Sequence, residues 1–356
     1  MKRSSVFVGI SGLFISLFCL ISMYIFPGVT KSCTLRAIMI CGRSLIPSLF
    51  PYMVLTRLIL QLFIRLKGSS EFHTSKKTSS ASELIAIVSG MLSGSPTGAV
   101  LAGNMYSNGM ISRYSAETAV LFSSVASPAF CIGFYGGEIM KSRILGALVY
   151  IAALTVNFLM LAIYKVIYPP SEIKKEPVTE NTAENGLISE IIYDSCITTL
   201  TICAYVTFFV CTGEVLYTAI SYFIGPNPFF KVFFIGAVEM TSGIVSLEGL
   251  SLSQKALCGA SVIGFQGLSV MMQTASVCNA YSIGCKRLFI VKLISAITVP
   301  AAMFVLITVW KKIFDPSTII GSGIITLCAF ALSVIAFLMY FVIKHLKKYK
   351  KSKVNL

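Results

Sequence analysis

The sequence predicts an all-α polytopic membrane protein, with about eight transmembrane helices plus two re-entrant hairpins in an inverted-topology repeat. Three observations predict it. The chain is 56% hydrophobic and 12% charged, with mean hydropathy +0.84, whereas soluble domains carry about 25% charged residues. Apolar runs long enough to span a bilayer recur along its length. Two further runs, 84–105 and 230–250, are apolar but interrupted. The first contains Ser93-Gly94-Ser95-Pro96-Thr97-Gly98-Ala99 and the second Glu239-Met240-Thr241-Ser242-Gly243-Ile244. Proline and glycine break a membrane helix, and the freed backbone must then be covered by protein or line a wet cavity. Paired broken segments in two halves mark transporter-like folds.

The elements follow in order. Residues 6–26 form the first apolar run, behind Met1-Lys2-Arg3. It is too long for a signal-peptide core and long enough to span, so it is read as an uncleaved first helix. Pro27-Gly28 ends it, and 30–43, with Lys31, Arg36 and Arg43, is an amphipathic lead-in; 1–43 is the N-terminal unit. The first gate-like repeat, 44–168, opens with a span over 44–64. Its prolines Pro47 and Pro51 sit in the first turns, where they are best tolerated. The broken segment follows, then a helix start capped by Ser115, then spans over 118–136 and 144–168. Residues 169–190 are polar and cannot bury enough apolar surface to fold alone, so they form a cytoplasmic linker.

The second gate-like repeat, 191–310, holds a span over 195–223, the second broken segment, and spans over 255–282 and 288–310. A last span over 319–343 and a basic tail from Lys344 make up the unit 311–356. Basic clusters at 65–77, 286–287 and 344–353 set those stretches, and both termini, on the cytoplasmic side. Lys141, Arg143, Lys311 and Lys312 fall outside in this scheme and count against it. Each repeat runs span, broken segment, polar stretch, span, span, but in opposite orientation. The hairpins then enter from opposite faces with their tips near the midplane.

Charge and cysteine use exclude other classes. The net charge of +15 sits in loops and tail rather than on a folded basic surface, so nucleic acid is not a partner. The eleven cysteines form no C-x-x-C pair and lie mostly in apolar runs. There they act as small hydrophobes rather than as disulfides or zinc ligands. The two histidines, His73 and His345, are in polar flanks, and no hydrolase, metalloprotease or nucleotide-binding motif occurs. No catalytic residue, metal site or cofactor is expected.

The candidate substrate-binding residues are Ser93, Ser95, Thr97 and Gly98 in the first broken segment and Thr241, Ser242 and Gly243 in the second. The alternative for both is a kink that packs closely through small residues. Gln266 and Gln273, on one helix face with Gly259, are solute ligands or interhelical glue, and Asn157 is glue. Ionisable groups within a membrane default to function. Glu239 is the candidate for a coupling cation or proton. Arg113, Glu117 and Lys255 either face the pathway as gating residues or form interfacial pairs. Glu214 lies near the end of its span, where snorkelling is the alternative. Half-helices beginning at Gly98-Ala99 and Gly243-Ile244 would offer N–H groups to an anion. Arg113 and Lys255 would draw it in from opposite sides.

Pro47-Ser48-Leu49-Phe50-Pro51, the Ser93–Ala99 tract, Ile111-Ser112-Arg113-Tyr114-Ser115-Ala116-Glu117, Ser127-Pro128 and Gly267-Leu268-Ser269-Val270-Met271-Met272-Gln273 resemble the sporulation integral membrane protein family YlbJ, also called SpoVV. The resemblance covers most of residues 40–310. It departs at Met271, where the family carries histidine. The family falls in the nucleoside-recognition or gate-domain group, distantly similar to concentrative nucleoside transporters. The resemblance implies a protein of the cell membrane or outer forespore membrane of endospore-forming bacteria, one that moves dipicolinate towards the forespore. The expected function is therefore a translocator of a small anionic solute, together with a cation or proton. Alternatives are a scaffold for other sporulation membrane proteins, a nucleoside transporter, or an intramembrane enzyme.

Overall fold

A computed structural model of the chain describes residues 2–67, 76–169 and 187–314. Every regular element among them is helical: α1 (Lys2–Ile25), α2 (Pro27–Ile40), α3 (Ile46–Lys67), α4 (Lys76–Ser93), α5 (Thr97–Ser107), α6 (Arg113–Ser123), α7 (Arg143–Ile167), α8 (Leu187–Ile224), α9 (Pro228–Val238), α10 (Met240–Val245), α11 (Leu252–Phe265), α12 (Gly267–Ala280) and α13 (Leu288–Phe314). Two wider π-helical segments, Cys41–Leu45 and Ala129–Ile139, join α2 to α3 and precede α7.

Four helical stretches are long and apolar enough to cross a membrane: Arg143–Ile167, Ile188–Ile224, Leu252–Ala280 and Leu288–Trp310. Ile10–Ile25 and Pro27–Arg43 qualify only as a pair, bent by 102°, which makes a fifth. About eight crossings are therefore not found among the described residues. The differences are physical. The run at 44–64 falls in α3, whose apolar part is Leu49–Ile59, shorter than a span. The run at 118–136 is not one helix. It stops at Ser123, passes through an irregular stretch to Pro128 and resumes as the π-helical segment. The span expected over 319–343 and most of the 169–190 linker lie outside the described residues, although α8 already begins at Leu187.

Both broken segments are broken, and both fold back on themselves. Gly94 takes φ +84° between α4 and α5, and Gly90 and Gly98 then face one another. A Cβ on Gly90 would come within 2.7 Å of the Gly98 Cα. Between α9 and α10 the turn is at Glu239, and a Cβ on Gly243 would collide with the Gly236 backbone, while one on Gly236 would meet Val262. The third wall is Ser123 of α6 for the first hairpin and Val262 of α11 for the second. Small residues at such contacts are how helices approach without a hydrophobic driving force.

The hairpin ends are fixed by polar contacts. Glu83, early in α4, accepts a bond from the Ser115 hydroxyl of α6 at 3.1 Å and pairs with Lys165 of α7 at 2.9 Å. Asn104, late in α5, accepts from the Tyr281 hydroxyl at 2.5 Å. Glu117 of α6 accepts from the Gly284 N–H at 3.2 Å. The start of α4 and the end of α5 therefore lie at one end of the bundle, and their tip points into it. The α6 helix begins at Arg113 with Ser112 as its cap; Ser115, the residue expected there, uses its hydroxyl on Glu83 instead. At the far end of the bundle the Tyr135 hydroxyl donates to the Lys255 and Ala256 carbonyls at 3.2 and 3.3 Å.

The buried core of α4–α7 and α9–α13 includes Phe122, Tyr135, Ile244 and Met303. A smaller cluster, with Cys33, Met53 and Val210, joins α2 and α3 to α8. Outward side chains such as Phe14, Phe208, Ile294 and Ile297 are exposed. An apolar rim of this kind suits lipid rather than water.

Candidate functional site: four helix interruptions that meet

The site is assembled from places where the chain cannot stay helical. The α4–α5 turn at Gly94–Pro96 and the α6 end at Ser124–Pro128 are joined by the Ser95 N–H, which donates to the Val125 carbonyl at 3.2 Å. The Ser95 and Ser124 hydroxyls lie 2.7 Å apart in a hydrogen bond. The Ser124 hydroxyl also donates to Gln266 Oε1 at 3.1 Å. Gln266 is the residue between α11 and α12, held at φ +69°. Next to it, Gly267 at φ +78° sits against Gly236 O, Met240 N and Glu239 Cα, where a Cβ would be 3.1–3.2 Å away. The fourth interruption, Glu239, is thus docked on the third. All four meet inside the core, where Gln266 and Glu239 are each 1% exposed.

Interrupted backbone inside a membrane needs partners for its polar groups. The end of α6 shows how they are supplied. The Phe122 carbonyl accepts from Asn157 Nδ2, in the gluing role expected of Asn157. The Ser123 carbonyl accepts from the Val125 N–H, and the Ser124 carbonyl from the Lys292 ammonium. Lys292, on α13, is 3% exposed. Sequence reasoning passed over it. The signal was a lone lysine inside the 23-residue apolar stretch Leu288–Trp310. Ser124 was missed too, because nothing local marks it as a helix end before Pro128.

Glu239 is the N-cap of α10. Its two oxygens accept the Thr241 N–H at 3.0 Å and the Ser242 N–H at 2.7 Å. This corrects one expectation. The N–H groups of the second half-helix are not open to an anion, because the chain's own carboxylate already occupies that place, as carboxylates prefer at helix starts. The half-helix also begins at Met240, not at Gly243-Ile244. Thr241, Ser242 and Gly243 are buried there. In the first hairpin Ser93, the last residue of α4, donates to the Ser89 carbonyl at 2.7 Å. Thr97, 2% exposed, starts α5 with its hydroxyl unpartnered, and the hydroxyl of fully buried Ser123 is unpartnered as well.

The remaining expected residues divide. Gln266 joins the site, whereas Gln273 turns to Ser269 of its own helix at 3.1 Å. The left-handed break at Gln266 interrupts the single helix face on which the two were expected. Arg113 forms an ion pair with Glu117 at 3.3 Å, the interfacial alternative. Lys255 is half-buried near the start of α11, remote in the chain from the break. Glu214 pairs with Arg36 of α2 at 3.2 Å. A groove of about 530 Å³ between the Cys41–Leu45 segment and α8, lined by Ile38, Cys41, Cys203 and Phe208, holds none of the interruption residues.

These features define an all-α, polytopic integral membrane protein whose core is built from interrupted helices. It is related to the sporulation YlbJ family. Over 260 residues it is 26% identical to the sporulation integral membrane protein YlbJ of Bacillus subtilis (strain 168), a match covering 63% of this chain. The same match spans 63% of that relative's length. No family model and no solved structure matches the chain.

Proposed function

We propose that the protein is a sporulation-associated transporter that moves a small anionic metabolite such as dipicolinate across the mother-cell-derived forespore membrane. The observation that carries this is the meeting of four helix interruptions, at Ser95, Ser124, Glu239 and Gln266, in the buried core. A protein that only anchors or scaffolds has no need to break four helices at one place. Each break forfeits backbone hydrogen bonds that lipid cannot replace, and in carriers such breaks hold the cargo. The parallel construction of the hairpins, glycine on glycine with a third helix behind, supports an inverted-topology repeat, and the basic clusters at 65–77, 286–287 and 344–353 support cytoplasmic termini. The relative's description supports the sporulation setting. A cation or proton accompanies the solute, and Glu239 handles the coupling: protonating its carboxylate removes one of the two acceptors that hold the Thr241 and Ser242 N–H groups and loosens the start of α10.

The test is uptake by the purified protein in liposomes, with pyridine-2,6-dicarboxylate and nucleosides compared. Saturable dicarboxylate uptake that responds to an imposed cation or proton gradient is expected. Nucleoside uptake that dicarboxylate does not inhibit would make the distant nucleoside-carrier likeness the better guide. Absence of uptake for either solute would refute transport and favour a scaffold.

A further inference from the structure

We infer that Lys292, with the Thr97 and Ser123 hydroxyls, forms the subsite that holds a carboxylate of the transported anion. The inference rests on the transport function proposed above and deepens it. Lys292 is 3% exposed in the second turn of α13, a helix long and apolar enough to span the membrane. Among the described residues its ammonium has a protein partner in the Ser124 carbonyl and is in none of the ion pairs. A buried ammonium has three donors and a full charge to satisfy, and one neutral carbonyl leaves most of that unmet. Other buried ionisable groups have more partners: Glu239 takes two N–H groups, Glu214 pairs with Arg36, Glu83 pairs with Lys165, and Arg57 bonds Thr198 at 3.0 Å beside Asp194 at 3.9 Å.

The surroundings point to what would complete the set. Ser123 and Ser124 are consecutive, with the Ser124 carbonyl on Lys292 and the Ser123 hydroxyl against the first turn of α5 at Gly98. Thr97 opens the same turn. The Thr97 and Ser123 hydroxyls without acceptors and an ammonium in no ion pair thus adjoin one two-residue stretch, while the Gly98 and Ala99 N–H groups of α5 are already taken by the Gly94 and Pro96 carbonyls. The three side-chain groups favour an acceptor that carries negative charge. A carboxylate takes two or more donors at once, which a water or a neutral nucleoside hydroxyl does not do with the same charge match. In the conformation described, Ser123 packs against both Gly90 and Gly98 where the two meet. The subsite is therefore closed and opens when α5 and α6 separate.

The experiment compares wild type, Lys292→Met, Lys292→Arg and Thr97→Val in liposomes, each first shown to be inserted and monodisperse. Uptake is measured for pyridine-2,6-dicarboxylate and for pyridine-2-carboxylate, which has one carboxylate fewer. Wild type should prefer the dicarboxylate. Lys292→Met should raise its half-saturation by about tenfold or more, the scale of one lost charge-assisted bond, and should shrink the preference over the monocarboxylate. Lys292→Arg should keep the preference, and Thr97→Val should weaken both solutes less. In wild type, the dicarboxylate should protect Lys292 from acylation by a membrane-permeant reagent, read by peptide mass spectrometry; this needs no variant to fold. Unchanged discrimination in Lys292→Met, or no protection in wild type that transports normally, would overturn the subsite while leaving transport intact. Wild type that transports no solute removes the transport function itself.

Discussion

The two glycine contacts give a graded test of how the hairpins are built. Replacing Gly98 by alanine gains about 0.5–1 kcal/mol of helix propensity but overpacks the contact, which costs about 1–3 kcal/mol, for a net loss of about 1–2 kcal/mol. The atoms met are the Ser123 side chain and, at 3.0 Å, the Gly90 Cα. At Gly243 the new Cβ meets the Gly236 backbone itself, with its nitrogen at 2.9 Å. Backbone cannot rotate aside, so Gly243→Ala lies at or above the top of that range, about 2–3 kcal/mol net. Gly42 has nothing within 4 Å and serves as control. Thermal unfolding of the four proteins in one detergent should rank Gly42→Ala at or above wild type, then Gly98→Ala, then Gly243→Ala, with steps of about 2–4 °C per kcal/mol. Adding Ser123→Gly should recover much of the Gly98→Ala loss and none of the Gly243→Ala loss. A Gly243→Ala protein as stable as wild type, or equal rescue of both by Ser123→Gly, would refute the packing.

Glu239→Gln keeps one acceptor for α10 and turns an amide donor towards the other N–H, so it should cost about 1–3 kcal/mol and remove the pH or cation dependence of uptake; unchanged dependence makes Glu239 purely a cap. Asn157→Leu strands the buried Phe122 carbonyl and should cost about 1–3 kcal/mol, measured by the same thermal assay. Lys165→Met leaves Glu83 buried without its cation; because Lys165 is partly in solvent the loss should be about 1–3 kcal/mol, short of a fully buried pair, and Glu83→Gln in the same chain should restore most of it. Single cysteines at Ser80 and Asn181, in a background without other reactive thiols, should resist an impermeant reagent added outside, while one at Asn227 should label; outside labelling at Asn181 would reverse the proposed orientation.

What the sequence revealed was local. The breaks at Gly94–Pro96 and Glu239 were legible because glycine, proline and a carboxylate stand in apolar runs where a continuous helix forbids them. The break at Gln266 was not. Nothing in an isolated Gln266-Gly267 requires a left-handed turn, and the reason is tertiary: the Glu239 turn docks on Gly267. The α6 end was hidden for a similar reason. Ser123-Ser124 reads as tolerable helix, and its irregular backbone persists because Asn157 of α7, Lys292 of α13 and Ser95 of the α4–α5 turn supply partners. The same absence of long-range information produced the overcount of spans. Hydropathy joins α6 to the Ala129–Ile139 segment, whereas the backbone is irregular before Pro128 and the π-helical piece that follows packs on α7 through Gly136 against Gly146.

Glu239 drew attention because a carboxylate in an apolar run is conspicuous, yet its oxygens are filled by its own helix. Lys292 did not, because one lysine in a 23-residue apolar stretch, near a basic flank, resembles a snorkelling side chain. Its burial is the deciding observation. A snorkelling lysine ends in water, and this one ends on a backbone carbonyl freed by a helix break. If Lys292 served only to cap that carbonyl, a neutral donor of similar reach would do as well. Lys292→Gln would then match wild type in both stability and dicarboxylate preference. If it serves an anion, Lys292→Gln keeps the cap and the fold but loses the preference for the second carboxylate. Stability and selectivity must part company in that one variant for the carboxylate subsite to stand.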